Sequence, residues 1–237
     1  MSQNKPIILL DPYPRTMDLL FSKENLNYLK KNFKLITAPN KNKNNFYEKN
    51  LPKADYIFGQ PNLPSSLISK STKLKAIFNV ESNFMDYDYC FRKGIHVLAT
   101  SPVFAQPVAE MAIGLTLSIA RSIHIAHSDF ISKKEKYGGA ISQNNFLIKN
   151  KTFGLIGFGD LAKSLTPILK AFSNNIMAYD PWIPNKEIEK FDVKPTSLNL
   201  LLKNADIIYV LASITSSNES MINSSKLKLI KDGSVFV

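Results

Sequence analysis

Apolar positions along the chain fall into two series of short strand-like runs, with one long apolar stretch between them. In the first series residues 7–10 form a buried strand ending at Asp11 and Pro12, 17–30 is amphipathic, and 34–37 is a second strand. Residues 38–50 (APNKNKNNFYEKN) read as a polar low-complexity loop. Further strands are expected at 54–59 and 74–80, around a short helix at 65–70, and 94–98 closes the series. Residues 106–121 are apolar almost all round, which predicts a helix covered on most sides. A linker with little periodicity covers 132–151. The second series then runs as strand 152–156, helix 160–172, strand 176–179, helix 197–204, strand 206–211, helix 224–230 and strand 234–237. Strands alternating with helices predict α/β architecture with parallel sheets, and the only repetition visible is that alternation. The last strand reads as a central one, yet it stops on the apolar Val237. Termini normally lie at the surface after a completed element, so the chain reads as a fragment.

Composition narrows the class. The 237 residues are 44% apolar and 21% charged, which is globular material with ample apolar content for a core. The single Cys90 excludes an internal disulfide framework, and with only His96, His124 and His127 beside it there are too few ligands for a structural zinc site. A reduced, cytoplasmic setting follows. The apolar run at 108–120 carries Glu110 and falls short of the about 20 residues a membrane span needs, so no membrane is expected. The net charge of +11 comes from 27 lysines and three arginines scattered along the chain. A nucleic-acid face concentrates charge and uses arginine forks, so no nucleic acid is expected either.

The segment that carries chemistry is 152–162, TFGLIGFGDLA. It places G-x-G-x-x-A after a strand and at the opening of a helix. Gly157 permits the tight turn, Gly159 lets the backbone approach a pyrophosphate, and Ala162 is small enough for close helix–strand packing. The amides near Asp160 and Leu161 lie at the helix start, where the helix dipole favours phosphate oxygens. Asp180, 21 residues beyond Gly159, ends the next strand, where a carboxylate accepts the ribose hydroxyls. Pro181 follows it and no arginine is at hand for a 2′-phosphate, which favours NAD over NADP. The bland reading makes the glycines turn formers and Asp180 a turn starter, but it leaves their joint occurrence unexplained.

These residues, with Lys93-Gly94-Ile95, Ser101-Pro102, Pro107-Val108-Ala109-Glu110, Ala178-Tyr179-Asp180-Pro181, Ala205-Asp206-Ile207-Ile208, Thr215 and the closing LKLIKDGSVFV at 227–237, resemble the D-isomer-specific 2-hydroxyacid dehydrogenases in order and spacing. The resemblance covers most of the chain. It implies a flavodoxin-like domain at 1–100 that helps bind substrate and lacks its C-terminal closing segment. It also implies a Rossmann doubly wound parallel-sheet domain at 101–237, incomplete at the C-terminus, that binds NAD. The implied reaction is hydride transfer between NAD and a 2-hydroxyacid or 2-oxoacid, in a homodimer. The cofactor contacts carried over are Gly157, Phe158, Gly159, Asp160, Leu161, Asp180, Pro181 and Ser213.

The family's catalytic Arg, Glu and His would all lie beyond Val237. His96, His124 and His127 stand in the wrong places to replace them, so the chain alone is expected to be inactive. Leu211 and Ser213 occupy positions where relatives often carry His-x-Pro against the adenosine. The loop that is usually glycine-rich in the first domain is here Asn79-Val80-Glu81-Ser82-Asn83, and Asp160 replaces a basic residue common in the phosphate turn. The alternative is a non-catalytic dinucleotide-binding or interaction protein that kept the turn and lost the chemistry.

Overall fold

A computed structural model describes residues 5–61, 63–80, 87–138, 145–215 and 218–237. Contacts divide the chain into two compact units, Met1–Ser101 with Ile214–Glu219, and Pro102–Ser213 with Ser220–Val237.

The first unit runs β1 (Ile7–Asp11), α1 (Met17–Leu20), α2 (Lys23–Asn32), β2 (Lys34–Thr37), α3 (Lys43–Asn50), β3 (Tyr56–Gly59), α4 (Ser65–Ile68), β4 (Ala76–Asn79), α5 (Tyr87–Arg92) and β5 (His96–Ala99). Its five strands pair in parallel in the order β2-β1-β3-β4-β5, the flavodoxin-like order. The stretch at 17–30 is two helices, because the backbone turns extended at Phe21 and Ser22 caps the second by accepting from the Asn25 N–H at 3.2 Å.

The loop expected at 38–50 is corrected: Lys43–Asn50 is helix α3. Three Asn with Phe and Tyr give its eight residues little intrinsic preference, so tertiary contacts decide. Tyr47 is buried and donates its hydroxyl to Asp11 Oδ2 at 2.5 Å, while Lys43 Nζ lies 2.6 Å from Asp11 Oδ1. Burial, and then the Asp11 charge, push the Tyr47 hydroxyl far above its ordinary pKa. Asp11 is therefore buried with both carboxylate oxygens engaged. Of the loop expected at 79–83, Asn79 is buried at the end of β4 and Val80 is half-buried, while Glu81, Ser82 and Asn83 lie outside the described residues.

The second unit runs α6 (Ser101–Ala120), α7 (Ile123–Ile131), β6 (Phe153–Ile156), α8 (Asp160–Lys170), β7 (Ile176–Tyr179), α9 (Asn185–Glu189), β8 (Lys194–Pro195), α10 (Leu198–Asn204), β9 (Ile207–Val210), α11 (Ser224–Leu227) and β10 (Val235–Phe236). Its parallel sheet has the order β10-β9-β6-β7-β8, which is the 5-4-1-2-3 part of the Rossmann order. All four residues of β6 are buried, as a strand covered on both faces requires. On α8 the buried Ala162, Leu165, Thr166 and Leu169 form one face against the sheet.

The expectation that the long apolar helix is covered on most sides is also corrected. Along α6 the buried face consists of small residues, Ala105, Ala109, Ala112, Thr116 and Ala120. Ala109, Ala112 and Ala120 join the core of the second unit. The large residues Met111, Leu115 and Ile119 face out and are 64%, 47% and 40% exposed. By length and composition alone Pro102–Ala120 is apolar enough to cross a membrane; its alanine face is packed into the unit's core. In α7, no residue is buried.

One local device occurs in both units. In Ala54-Asp55-Tyr56-Ile57, Asp55 Oδ2 accepts from the Ile7 N–H at 2.8 Å. In Ala205-Asp206-Ile207-Ile208, Asp206 Oδ2 accepts from the Thr152 N–H at 2.7 Å. Each aspartate thus ties the start of a strand to the start of its unit's first strand, and each has a lysine nearby, Lys75 at 3.9 Å and Lys231 at 2.8 Å. Burial pushes the Asp206 carboxyl up, but the Lys231 and Thr152 hydrogen bonds outweigh it and leave it below the usual carboxylate range.

Candidate dinucleotide site

The strand order of the second unit reverses at β6, whose neighbours β7 and β9 lead away in opposite directions. In open α/β sheets such a switch point leaves a crevice outside the carboxyl ends of the strands. Three segments meet there: the turn Gly157–Phe158–Gly159 after β6, Asp180 after β7, and Leu211–Ser213 after β9.

Gly157 is required twice over. Its φ is +91°, and a Cβ would lie 2.7 Å from both the Cα and the N of Ala212. Its N–H donates to Tyr179 O at 2.8 Å, and the Leu211 N–H donates to Ile156 O at 2.8 Å, so the ends of β6, β7 and β9 are joined by backbone bonds. The close approach to Ala212 is a reason for glycine that the motif alone does not give. Gly154 carries a similar constraint: a Cβ there would lie 2.6 Å from Leu201 Cδ2 and 2.8 Å from Ala205 Cβ, so it sets how closely α10 packs on the sheet.

Gly159 differs. Its backbone is extended (φ −79°, ψ −158°), it is exposed, and a Cβ would meet no atom within 4 Å. The glycine leaves open space directly over the start of α8. As N-cap it supplies no side-chain acceptor, and the first intrahelical backbone bond is from the Lys163 N–H to Gly159 O at 3.0 Å. A helix start of this kind offers N–H groups and the positive end of the dipole to an anion. Ala162 is fully buried against the sheet, Leu161 is half-buried, and Asp160 is exposed at the first helical position. These features fit the pyrophosphate of a dinucleotide.

Asp180 is half-buried and holds the crevice's second wall. Its Oδ2 accepts from the Phe158 N–H at 2.8 Å; its Oδ1 accepts from the Trp182 N–H at 2.8 Å and the Ile183 N–H at 3.1 Å. The carboxylate therefore clamps the glycine turn to the turn after β7. Of about four lone-pair directions on a carboxylate, three are used and one remains for a ribose hydroxyl, where two had been expected.

Phe158 forms the base of the turn. Its side chain is fully buried against Phe191, with ring centroids 5.5 Å apart, and its N–H is the one held by Asp180. Pro181 and Ser213 are exposed on the two flanks of the crevice. The three histidines are exposed: His96 lies on β5 of the first unit, and on the second unit's α7 His124 Nδ1 is 3.3 Å from Ser118 O.

A contact within this unit that sequence reasoning missed joins the long helix to the sheet. Thr116 Oγ1 donates to Ala112 O at 2.9 Å, so in its 2.8 Å contact with the Tyr209 hydroxyl the tyrosine is the donor. This fully buried bond ties α6 to β9, and burial pushes the Tyr209 hydroxyl up to about 12. The two residues are 93 positions apart, and no local pattern announces the pair.

Comparison with known proteins places these features in a family. Residues 113–237 match the model of the D-isomer specific 2-hydroxyacid dehydrogenase NAD binding domain. The chain is 33% identical over 168 residues to a hydroxypyruvate reductase of Thermotoga maritima, covering 71% of this chain and 53% of that protein. It is 30% identical over 174 residues to a D-3-phosphoglycerate dehydrogenase of Methanocaldococcus jannaschii, covering 72% of this chain and 33% of that protein. The chain thus spans about half or less of these curated relatives. Among solved structures, a phosphoglycerate oxidoreductase from Rhizobium etli is 34% identical, with a TM-score of 0.67 over 97% of this chain and 72% of that one. A D-lactate dehydrogenase from Aquifex aeolicus, complexed with NAD and lactic acid, shares the fold at 23% identity and a TM-score of 0.75, over 97% of this chain and 67% of that one. The switch-point crevice, the glycine turn and these matches lead to one conclusion: the chain belongs to the D-isomer specific 2-hydroxyacid dehydrogenase family, and residues 113–237 are its NAD-binding domain.

Proposed function

We infer that this chain supplies the dinucleotide half of an NAD-dependent 2-hydroxyacid dehydrogenase. The carrying observation is the clamp between Asp180 and the Phe158 N–H beside the open space at Gly159. In this reading the Asp160 and Leu161 amides hold the pyrophosphate, Asp180 holds an adenosine ribose hydroxyl, and Pro181 and Ser213 flank the adenosine. Bound NAD supplies the hydride acceptor, or NADH the donor, for a 2-hydroxyacid/2-oxoacid pair. The chain's own residues bind and orient it. Phe158 closes the floor beneath the turn with a buried ring, which keeps water from the back of the site. The exposed His96, His124 and His127 take no catalytic role in this reading.

Asp180 also sets the preference for NAD, because its negative charge repels a 2′-phosphate. The outward Met111, Leu115 and Ile119 of α6, with the uncovered α7, support a homodimer, since a nine-residue helix without buried side chains is marginal alone.

The test is calorimetric titration of NADH into the chain and into Gly159→Val. No atom lies within 4 Å of a Cβ at this position, so the valine leaves the fold intact and fills only the pyrophosphate space. Binding by the parent and its loss in Gly159→Val is the expected result. Equal binding by both removes the reading.

A further inference from the structure

The wall of the crevice carries one large side chain with no task so far. Trp182 is the only tryptophan in the chain, and it is 75% exposed. Leaving an indole in water forgoes a large burial free energy, and rigid exposed aromatics are characteristic of binding surfaces. The local backbone holds it out. The Trp182 and Ile183 N–H groups both donate to Asp180 Oδ1, at 2.8 and 3.1 Å, and Pro181 and Pro184 fix φ on either side of the pair. Ile183 packs inward against the core of the second unit, so the residue before it is carried outward. Among the described residues the indole has no ring or cation contact of its own.

We propose that Trp182 is the adenine platform of the dinucleotide site, its indole stacking on the base while Asp180 holds the adjoining ribose. This rests on the dinucleotide reading above and adds a residue to it. The chemistry of the ligand supports the placement. Adenine is attached at C1′ of the ribose, next to the carbon bearing the 2′-hydroxyl, so a base whose ribose is held by Asp180 lies within a side chain's reach of residue 182. The opposite flank offers little flat surface, because Leu211 and the exposed Ser213 stand there. Pre-fixing the aromatic also lowers the ordering entropy of stacking. Trp182 is a binding residue that touches the cofactor's adenine; it has no part in the hydride step.

The test separates the two halves of the cofactor. AMP and nicotinamide mononucleotide are titrated by calorimetry into the parent chain, Trp182→Ala, Trp182→Phe and Gly159→Val, with thermal melts of each. Stacking of one base on an aromatic lies in a range that includes about tenfold in affinity, so Trp182→Ala should weaken AMP by about that factor. Trp182→Phe should stay near the parent, nicotinamide mononucleotide should be indifferent to both, and the melting temperature of these exposed-site variants should not move. AMP should also quench the parent's tryptophan emission, which has a single source. Unchanged AMP affinity in Trp182→Ala, with NADH still lost in Gly159→Val, overturns the platform and leaves the dinucleotide reading standing. A parent that binds neither AMP nor NADH overturns both.

Discussion

Asp180→Ala removes the acceptor of three backbone N–H groups at once, and the structure separates what each loss does. The Trp182 N–H belongs to an exposed residue, so water replaces the carboxylate there at little cost. The Phe158 N–H belongs to a residue with a fully buried side chain, and its bond to Asp180 Oδ2 is 2.8 Å. A buried donor left without a partner costs about 1–3 kcal/mol, so the second unit should lose about 2 kcal/mol of stability. Binding should suffer independently. One lone-pair direction of the carboxylate remains for a ribose hydroxyl, and a hydrogen bond to a charged group contributes about 1.5–3 kcal/mol. That corresponds to roughly 10- to 150-fold weaker NADH binding. NADPH should respond in the other direction, because the repulsion of its 2′-phosphate disappears, so the NADH:NADPH preference falls. Asp180→Asn divides the effects: its carbonyl still accepts from Trp182 and Ile183, while its NH₂ cannot accept from Phe158 and its charge is gone. Denaturant unfolding followed by far-ultraviolet circular dichroism gives the stability change, and paired NADH and NADPH titrations give the binding change. An Asp180→Ala protein that binds NADH like the parent, with its NADH:NADPH preference unaltered, refutes the assignment of the ribose to this residue.

Other outcomes follow from the same geometry. Gly157→Ala places a Cβ 2.7 Å from the Ala212 backbone at a φ of +91°, so it should lose cooperative thermal unfolding of the second unit as well as NADH binding. Thr116→Val strands the buried Tyr209 hydroxyl and should cost about 1–3 kcal/mol, whereas Tyr209→Phe should cost about 0.5–1.5 kcal/mol. A double-mutant cycle reads their coupling, and equal single losses with no coupling contradict the bond. Because burial raises Tyr209 to about 12, while an unfolded tyrosine ionises near its ordinary value of 10.0, its stabilising contribution is complete below about pH 10 and is lost as pH rises through 12. Tyr209→Phe should flatten that part of the stability profile, measured by denaturant melts from pH 9 to 12.

What could be read from the sequence was what local spacing controls. The strand at 176–179 and the G-x-G-x-x-A turn depend on neighbours only a few residues away, and the structure has them at the same positions. Asp180 was legible as an acid at the end of the second strand. Its use as a clamp on Phe158 was not, because that depends on how two turns face each other. Helix α3 reads as loop in the sequence because three Asn and two aromatics in eight residues disfavour helix, and the contact that stabilises it, Tyr47 to Asp11, reaches back 36 residues. On α6 the sequence showed an apolar helix without showing which face packs. Alanines allow close approach to the core, and that leaves the larger Met111, Leu115 and Ile119 on the outside. The paired use of Asp55 and Asp206 at strand starts was also hidden, because each aspartate bonds to a residue about 50 positions earlier.

The central claim, that the dinucleotide sits on the turn between β6 and α8, is tested most directly by amide-resolved hydrogen exchange with and without NADH. The account predicts that the Leu161 amide, in the first turn of a helix whose N-cap Gly159 supplies no side-chain acceptor, becomes more protected when NADH binds. Amides of the first-unit strands, such as Leu9 and Ile57, should keep their rates. NADH binding that leaves the exchange of the Leu161 amide unchanged contradicts the account and moves the site elsewhere.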